Sequence, residues 1–101
     1  MEDSQTQVME AINKLQEQIT KKEFEDTKRE IESIRWNILD FANAVRNGRK
    51  YDIEAYNHIE DVYSSYERLL QENGMENGRV TMAMKLINEK YEEGMRDGFP
   101  V

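Results

Sequence analysis

The spacing of helix-breaking residues is the feature that most constrains this fold. Within 101 residues the one proline stands at position 100, and the five glycines stand at positions 48, 74, 78, 94 and 98. Glycine and proline are the strongest interruptions of regular structure, so long stretches of this chain are left uninterrupted. The glycines divide it into one segment that ends near residue 47, a second from 52 to 73, and a third from 77 to about 96.

Apolar residues recur every three to four positions in each segment, which is the period of an α-helix. The stripes are Phe24, Ile31, Ile34, Ile38, Phe41 and Val45 (broadened by Trp36, Leu39 and Ala42), then Tyr56, Ile59, Tyr63, Tyr66, Leu69 and Leu70, then Val80, Ala83, Met84, Ile87, Tyr91 and Met95. Short connections force neighbouring helices to fold back on each other. We therefore predict an all-α fold of three to four helices, in which a long N-terminal helix precedes two short antiparallel helices.

The residues around the glycines predict where each helix begins and ends. Arg46-Asn47-Gly48 places a cation in the last turn and a glycine at the left-handed position after the first helix, and Asn73-Gly74 repeats this stop signal. Asp52 and Asn77 are suited to cap the second and third helices. The predicted organisation is an amphipathic helix over residues 1–22, a compact helical domain over 23–97, and a disordered tail over 98–101.

The first 20 residues contain a second, separate apolar pattern. Met1, Val8 and Leu15 occupy heptad d positions, and Gln5, Ile12 and Ile19 occupy a positions. Isoleucine at a with leucine at d favours parallel two-stranded coiled coils. The pattern lasts only two and a half heptads, so an exposed amphipathic helix is the alternative. We predict that Val8, Ile12, Leu15 and Ile19 mediate self-association, which a chain with a small core often needs.

Composition narrows the chemistry. The chain has no cysteine and one histidine, which excludes a disulfide scaffold and thiolate metal sites. The pair Glu54 and His58 has no second motif with which to complete a metal site, and neither Ser64 nor Ser65 has an evident base. We expect no catalytic residue, no metal, no cofactor and no enzymatic activity. No apolar run is long enough to span a bilayer and no signal peptide is evident, so we expect a soluble intracellular protein without membrane insertion.

Charge is distributed unevenly along the chain, whose net charge is −7. The turn at residues 46–50 contains Arg46, Arg49 and Lys50, which could contact phosphates of nucleic acid. The alternative is a cationic helix terminus beside an acidic helix. That helix, residues 51–73, has six acids and one base, and its Glu60, Asp61 and Glu67, together with Met82 on the third helix, are candidates for a partner surface.

Several motifs carry a resemblance to a known group. They are Ile34-Arg35-Trp36-Asn37-Ile38-Leu39, Asn47-Gly48-Arg49-Lys50-Tyr51-Asp52, Tyr63-Ser64-Ser65-Tyr66 and Asn73-Gly74-Met75-Glu76-Asn77-Gly78. Together they cover about residues 31–97, and they resemble the soluble C-terminal domain of small phage and prophage proteins, some holin-like and one group organising phage DNA replication. The resemblance implies a helical, dimeric, phage-encoded protein, although residues 1–22 form a charged amphipathic segment where many of that group have a membrane helix.

The sequence therefore predicts a non-enzymatic phage or prophage interaction protein. It would act through contacts with itself and with a phage or host protein, in phage assembly or in modulation of a host factor, including inhibition of a host defence. Its expected location is the bacterial cytoplasm, or alternatively the virion. A dimeric nucleic-acid-binding module that uses the turn at residues 46–50 is the alternative function.

Overall fold

The part of the chain that the structure describes forms three α-helices. A computed structural model describes residues 2–77 and 80–100, and it contains α1 (Glu2–Arg46), α2 (Ile53–Asn73) and α3 (Val80–Asp97), with no strand among the described residues. The prediction of an all-α fold is confirmed. Residues 1–22 and 23–46 belong to the same uninterrupted helix, apart from Met1, which lies outside the described residues. The chain divides into two compact units, residues 1–30 and residues 31–101.

Three of the predicted helix-terminating or capping residues act as predicted in the structure. Gly48 has φ 92°, and Gly74 has φ 62°, both in the left-handed region where a side chain is unfavourable. After α2, the N–H of Met75 donates to the carbonyl of Leu70 at 2.9 Å, which satisfies one of the last free carbonyls of that helix. At the start of α2, Asp52 Oδ1 accepts from the N–H of Ala55 at 2.9 Å. The predicted caps at these positions are confirmed.

Asn77 does not cap α3 as predicted. Its Nδ2 instead donates to the Tyr63 hydroxyl at 3.3 Å, and its carbonyl accepts from the Tyr66 hydroxyl at 2.6 Å. Helix α3 begins at Val80, three residues after Asn77, while Gly78 and Arg79 lie outside the described residues. The Oδ1 of Asn77, the atom that would cap the helix, is buried and has no hydrogen-bond partner within the described part of the chain. Two tyrosines of α2 hold the other polar groups of Asn77.

The hydrophobic core lies within residues 31–100 and receives side chains from all three helices. Its buried members are Ile31, Ile38, Ala42, Val45, Tyr56, Ile59, Tyr66, Leu70, Val80, Ala83, Met84 and Ile87. Three residues that we placed on core stripes are exposed instead, namely Phe24 at 50%, Trp36 at 61% and Met95 at 61%. Trp36 is two positions from the buried Ile38, and at 100° per residue these two side chains point to nearly opposite sides of α1.

The C-terminal residues pack against the core through Phe99. Its ring centroid lies 5.6 Å from that of Tyr56 and 5.8 Å from that of Tyr91. Gly94 makes this possible, because a Cβ atom at that position would lie 2.2 Å from the Phe99 ring. Phe99 belongs to residues 98–101, for which we predicted a disordered tail, and that assignment stays a prediction. Val101 lies outside the described residues.

The first unit is a stretch of helix whose side chains remain exposed. From residue 4 to residue 30, every side chain except the half-buried Thr27 is exposed. One contact within this stretch is local, with Lys28 Nζ 5.8 Å from the Phe24 ring centroid. No described helix in either unit combines the length and the hydropathy that a membrane crossing requires.

Candidate functional site

The apolar stripe of residues 8–19 on α1 is the largest candidate interaction surface of the first unit. Its members Val8, Ile12, Leu15 and Ile19 are 43–58% exposed, although each is an aliphatic side chain that normally prefers burial. The stripe continues the a and d spacing along one side of the helix. Helical geometry places the charged residues Glu10, Lys14, Glu17 and Lys21 on the opposite side.

The basic turn after α1 is divided between two surfaces. Arg49 and Lys50 line a cavity of about 240 Å³, where they meet Lys90 of α3. The Arg49 guanidinium lies 4.7 Å from the Tyr51 ring centroid, and the Tyr51 ring stacks on Phe41 at 4.3 Å, so this arginine rests on an aromatic support. Arg46 is exposed and lines a different groove. The three predicted phosphate contacts therefore do not form one site.

The same cavity also contains acidic and aromatic groups. Glu93 and Asp97 line it beside Lys90, and Lys90 Nζ lies 3.2 Å from Glu93 Oε2. Tyr56 forms part of the wall, and its pKa is raised above the usual 10.0, first by burial and then by the negative charge of Glu93. This wall has three cations and two carboxylates, so its attraction for phosphate is partly offset.

The four residues of the predicted partner surface lie in two different environments. Glu60, Asp61 and Glu67 lie on α2, where Glu60 is half-buried and the other two are exposed. Hydrogen bonding with Glu67 is the largest cause of a raised pKa at Tyr63, with burial second, so Glu67 is engaged with its own helix. Met82, on α3, is 70% exposed, and its place in a partner surface stays a prediction.

Met82 lines a groove that the sequence did not predict. The groove has a volume of about 310 Å³ and is lined by Trp36, Leu39, Asp40, Ala42, Asn43, Arg46, Met82 and Ala83. Tryptophan, methionine and arginine are enriched in protein interfaces, and tryptophan is highly buried on average. The sequence contained one signal for this groove. Trp36 lies two residues before Ile38, and residues two positions apart cannot lie on the same face of a helix.

A polar network links the three segments of the second unit. Arg35 Nε donates to the fully buried Tyr66 hydroxyl at 3.0 Å, which in turn donates to the carbonyl of Asn77. The hydrogen bond that Arg35 donates to Tyr66 is the main reason that the pKa of Arg35 is raised, and Glu32 adds a smaller contribution through its ion pair. Because this network joins α1, α2 and the connection before α3, its role is to fix their positions, and it offers no open site for a ligand.

The described residues contain no group of three or more histidines, cysteines or acids placed to hold a metal ion. No protein-family model, curated protein or solved structure matches the chain.

Proposed function

We propose that this protein is a non-enzymatic interaction protein that self-associates through the apolar stripe of residues 8–19 and contacts another protein through its compact second unit. The observation that carries the proposal is the exposure of Val8, Ile12, Leu15 and Ile19 on a helix stretch with no buried side chain from residue 4 to residue 30. The prediction that α2 and α3 are antiparallel is retained as part of the same proposal.

Helix energetics favour an intermolecular contact for this stretch. An isolated helix in water gains little from propensity, and most helix stability in proteins comes from burying one apolar face. Residues 4–30 have no such burial within the described chain. A second copy would supply it, because an identical stripe presents the same a and d side chains for interlocking packing.

Light scattering with two matched double variants tests this proposal. Ile12→Ala/Leu15→Ala removes the centre of the stripe. Glu10→Ala/Glu17→Ala is the matched control, because it also shortens two side chains to alanine but on the opposite face of the helix. We expect the first variant to lower the mass of the oligomer and the helical circular dichroism, since truncating a buried aliphatic side chain costs about 2–5 kcal/mol. The second variant should retain the mass of the parent. Equal masses for all three proteins would refute the role of the stripe.

The biological setting that we propose is a phage or prophage. The resemblance of residues 31–97 to small phage proteins supports a phage or prophage origin, with a role in assembly or in the control of a host factor, including a defence enzyme. Capture of a basic host protein that weakens as salt rises would support the last of these roles, since the region 51–73 has six acids and one base. A host partner whose capture is independent of salt would contradict charge mimicry.

Nucleic-acid binding is the second candidate, favoured by the meeting of Arg49, Lys50 and Lys90 around one cavity. Each phosphate contact steepens the fall of log binding constant against log salt concentration by about one. The triple variant Arg49→Ala/Lys50→Ala/Lys90→Ala should then abolish binding to duplex DNA at about 50 mM salt. Arg68→Ala, which removes a cation of α2 that does not line the cavity, should leave binding in place. Absence of binding by the parent protein under these conditions would end this alternative.

A further inference from the structure

The groove beside Trp36 is separate from the stripe of residues 8–19 and from the cavity lined by Arg49, Lys50 and Lys90. Trp36 is 61% exposed and Met82 is 70% exposed, and the two side chains line the same groove from different helices. Two large apolar side chains that remain this exposed on one surface indicate a contact with another molecule. Leu39, Ala42 and Ala83 complete the apolar lining.

The charges of this groove favour one particular occupant. Among its eight lining residues, Asp40 and Arg46 are the only charged ones, and they balance. Neither forms an ion pair within the described part of the chain, where the pairs are Asp26–Arg29, Glu32–Arg35 and Lys90–Glu93. Residues six positions apart lie about 120° apart around a helix, so Asp40 and Arg46 are not placed to pair with each other on α1.

A second copy would satisfy both charges at once. Asp40 and Arg46 are each three residues from Asn43, so each lies about 4.5 Å from it along the helix axis, in opposite directions. Asp40, Asn43 and Arg46 form a row of residues three apart, which is inclined by about 45° to the axis of α1. When two copies cross so that these rows run antiparallel on either side of a two-fold axis at Asn43, Asp40 of each copy lies opposite Arg46 of the other. A two-fold contact requires a surface complementary to itself, and this spacing meets that requirement.

We propose that the groove of Trp36 and Met82 is a self-association surface, in which two copies pair through a two-fold axis near Asn43 and exchange Asp40–Arg46 ion pairs. This contact is independent of the stripe of residues 8–19. Each Trp36 contributes on the order of 150 Å² of exposed side chain. A standard interface buries about 800 Å² per partner, so we expect a weak dimer that forms at high micromolar concentrations of the chain.

Charge reversal provides a direct test. Asp40→Arg places two cations in the groove, and Arg46→Asp places two anions there, so each variant alone faces like charges across the two-fold axis. We expect each to weaken self-association by about tenfold or more. A mixture of the two variants should associate about as well as the parent, because each arginine then meets an acid. Analytical ultracentrifugation of the full chain measures all three samples.

Two comparisons separate this contact from others. The same measurements in the Ile12→Ala/Leu15→Ala background remove the contribution of the stripe, so the failure of one surface is distinguishable from the failure of the other. Asp61→Arg and Arg68→Asp, alone and mixed, repeat the charge changes on the exposed face of α2, and they should leave association unchanged.

Restored association in the mixture, with loss of association in Trp36→Ala/Met82→Ala, would establish the two-fold contact. Unaltered association of the single variants, or a mixture that associates no better than its components, would overturn it. A groove that binds a different protein, with no effect of Trp36 or Met82 on self-association, would also overturn it.

Discussion

Replacing Tyr66 with phenylalanine tests whether the polar network of the second unit fixes its three segments. The Tyr66 side chain is fully buried, and its hydroxyl accepts from Arg35 Nε at 3.0 Å and donates to the carbonyl of Asn77 at 2.6 Å. Tyr66→Phe leaves the ring in place and removes only the atom that connects these two groups. The change in the free energy of unfolding therefore reports on the network more than on packing.

The expected cost is about 2 kcal/mol. A buried carbonyl that loses its donor costs about 1 kcal/mol or more, and this applies to Asn77. A hydrogen bond from a charged donor is worth more, but the Arg35 side chain is 22% exposed and keeps its ion pair with Glu32, so solvent reduces its share to about 1 kcal/mol. For a domain of this size the sum lowers the Tm by about 10 °C.

Urea unfolding followed by circular dichroism at one fixed protein concentration measures this cost. Fixed concentration is needed because self-association adds to apparent stability. Tyr63→Phe is the matched control, since the Tyr63 hydroxyl accepts a longer bond of 3.3 Å from Asn77 Nδ2 in a less buried position. A cost for Tyr66→Phe below about 0.5 kcal/mol, or no greater than that of the control, would refute this account of the network.

Three further predictions concern the cap of α2, the docked C-terminal ring and the alkaline limit of stability. Asp52→Ala removes the acceptor for the Ala55 N–H and should cost about 1 kcal/mol in urea unfolding, whereas Asp52→Asn should cost much less. Gly94→Ala places a methyl group against the Phe99 ring and should release it, which NMR would detect as loss of the nuclear Overhauser contacts between that ring and Tyr56. The pKa of Tyr56 is raised in the folded state, so the stability that its neutral form contributes is complete below pH 10.0 and is lost as the pH rises through the folded pKa. Tyr56→Phe should therefore lose less stability at alkaline pH than the parent, which unfolding measured as a function of pH would show.

The ends of the first two helices could be predicted because local chemistry decides them. Gly48 and Gly74 adopt the left-handed backbone that glycine tolerates best, and Asp52 accepts from an N–H three residues away. Asn77 is different, because its capping atom Oδ1 is buried without a partner in the described part of the chain, while its Nδ2 and carbonyl bond to tyrosines of α2. Contacts with another helix therefore decide the position of Asn77, and its local sequence does not reveal them.

The candidate surfaces were predicted less completely than the fold. Exposure of Met82 followed from its position off the helix stripe, but its pairing with Trp36 depends on how α1 and α3 meet, which the sequence does not specify. Likewise, Arg46, Arg49 and Lys50 are neighbours in sequence, yet the end of α1 separates Arg46 from the other two. Docking of Phe99 depends on a glycine five residues earlier and on two rings of other segments.

The exposure of Trp36 also determines what this protein's intrinsic fluorescence can report. Trp36 is the only tryptophan of the chain, and 61% of its surface faces water in the folded molecule. Unfolding should therefore shift its emission only slightly, since the indole ring is largely hydrated before and after. Covering of the groove by a second copy should shift the emission to the blue at constant fold. The native tryptophan is thus an insensitive probe of folding and a sensitive, label-free probe of assembly.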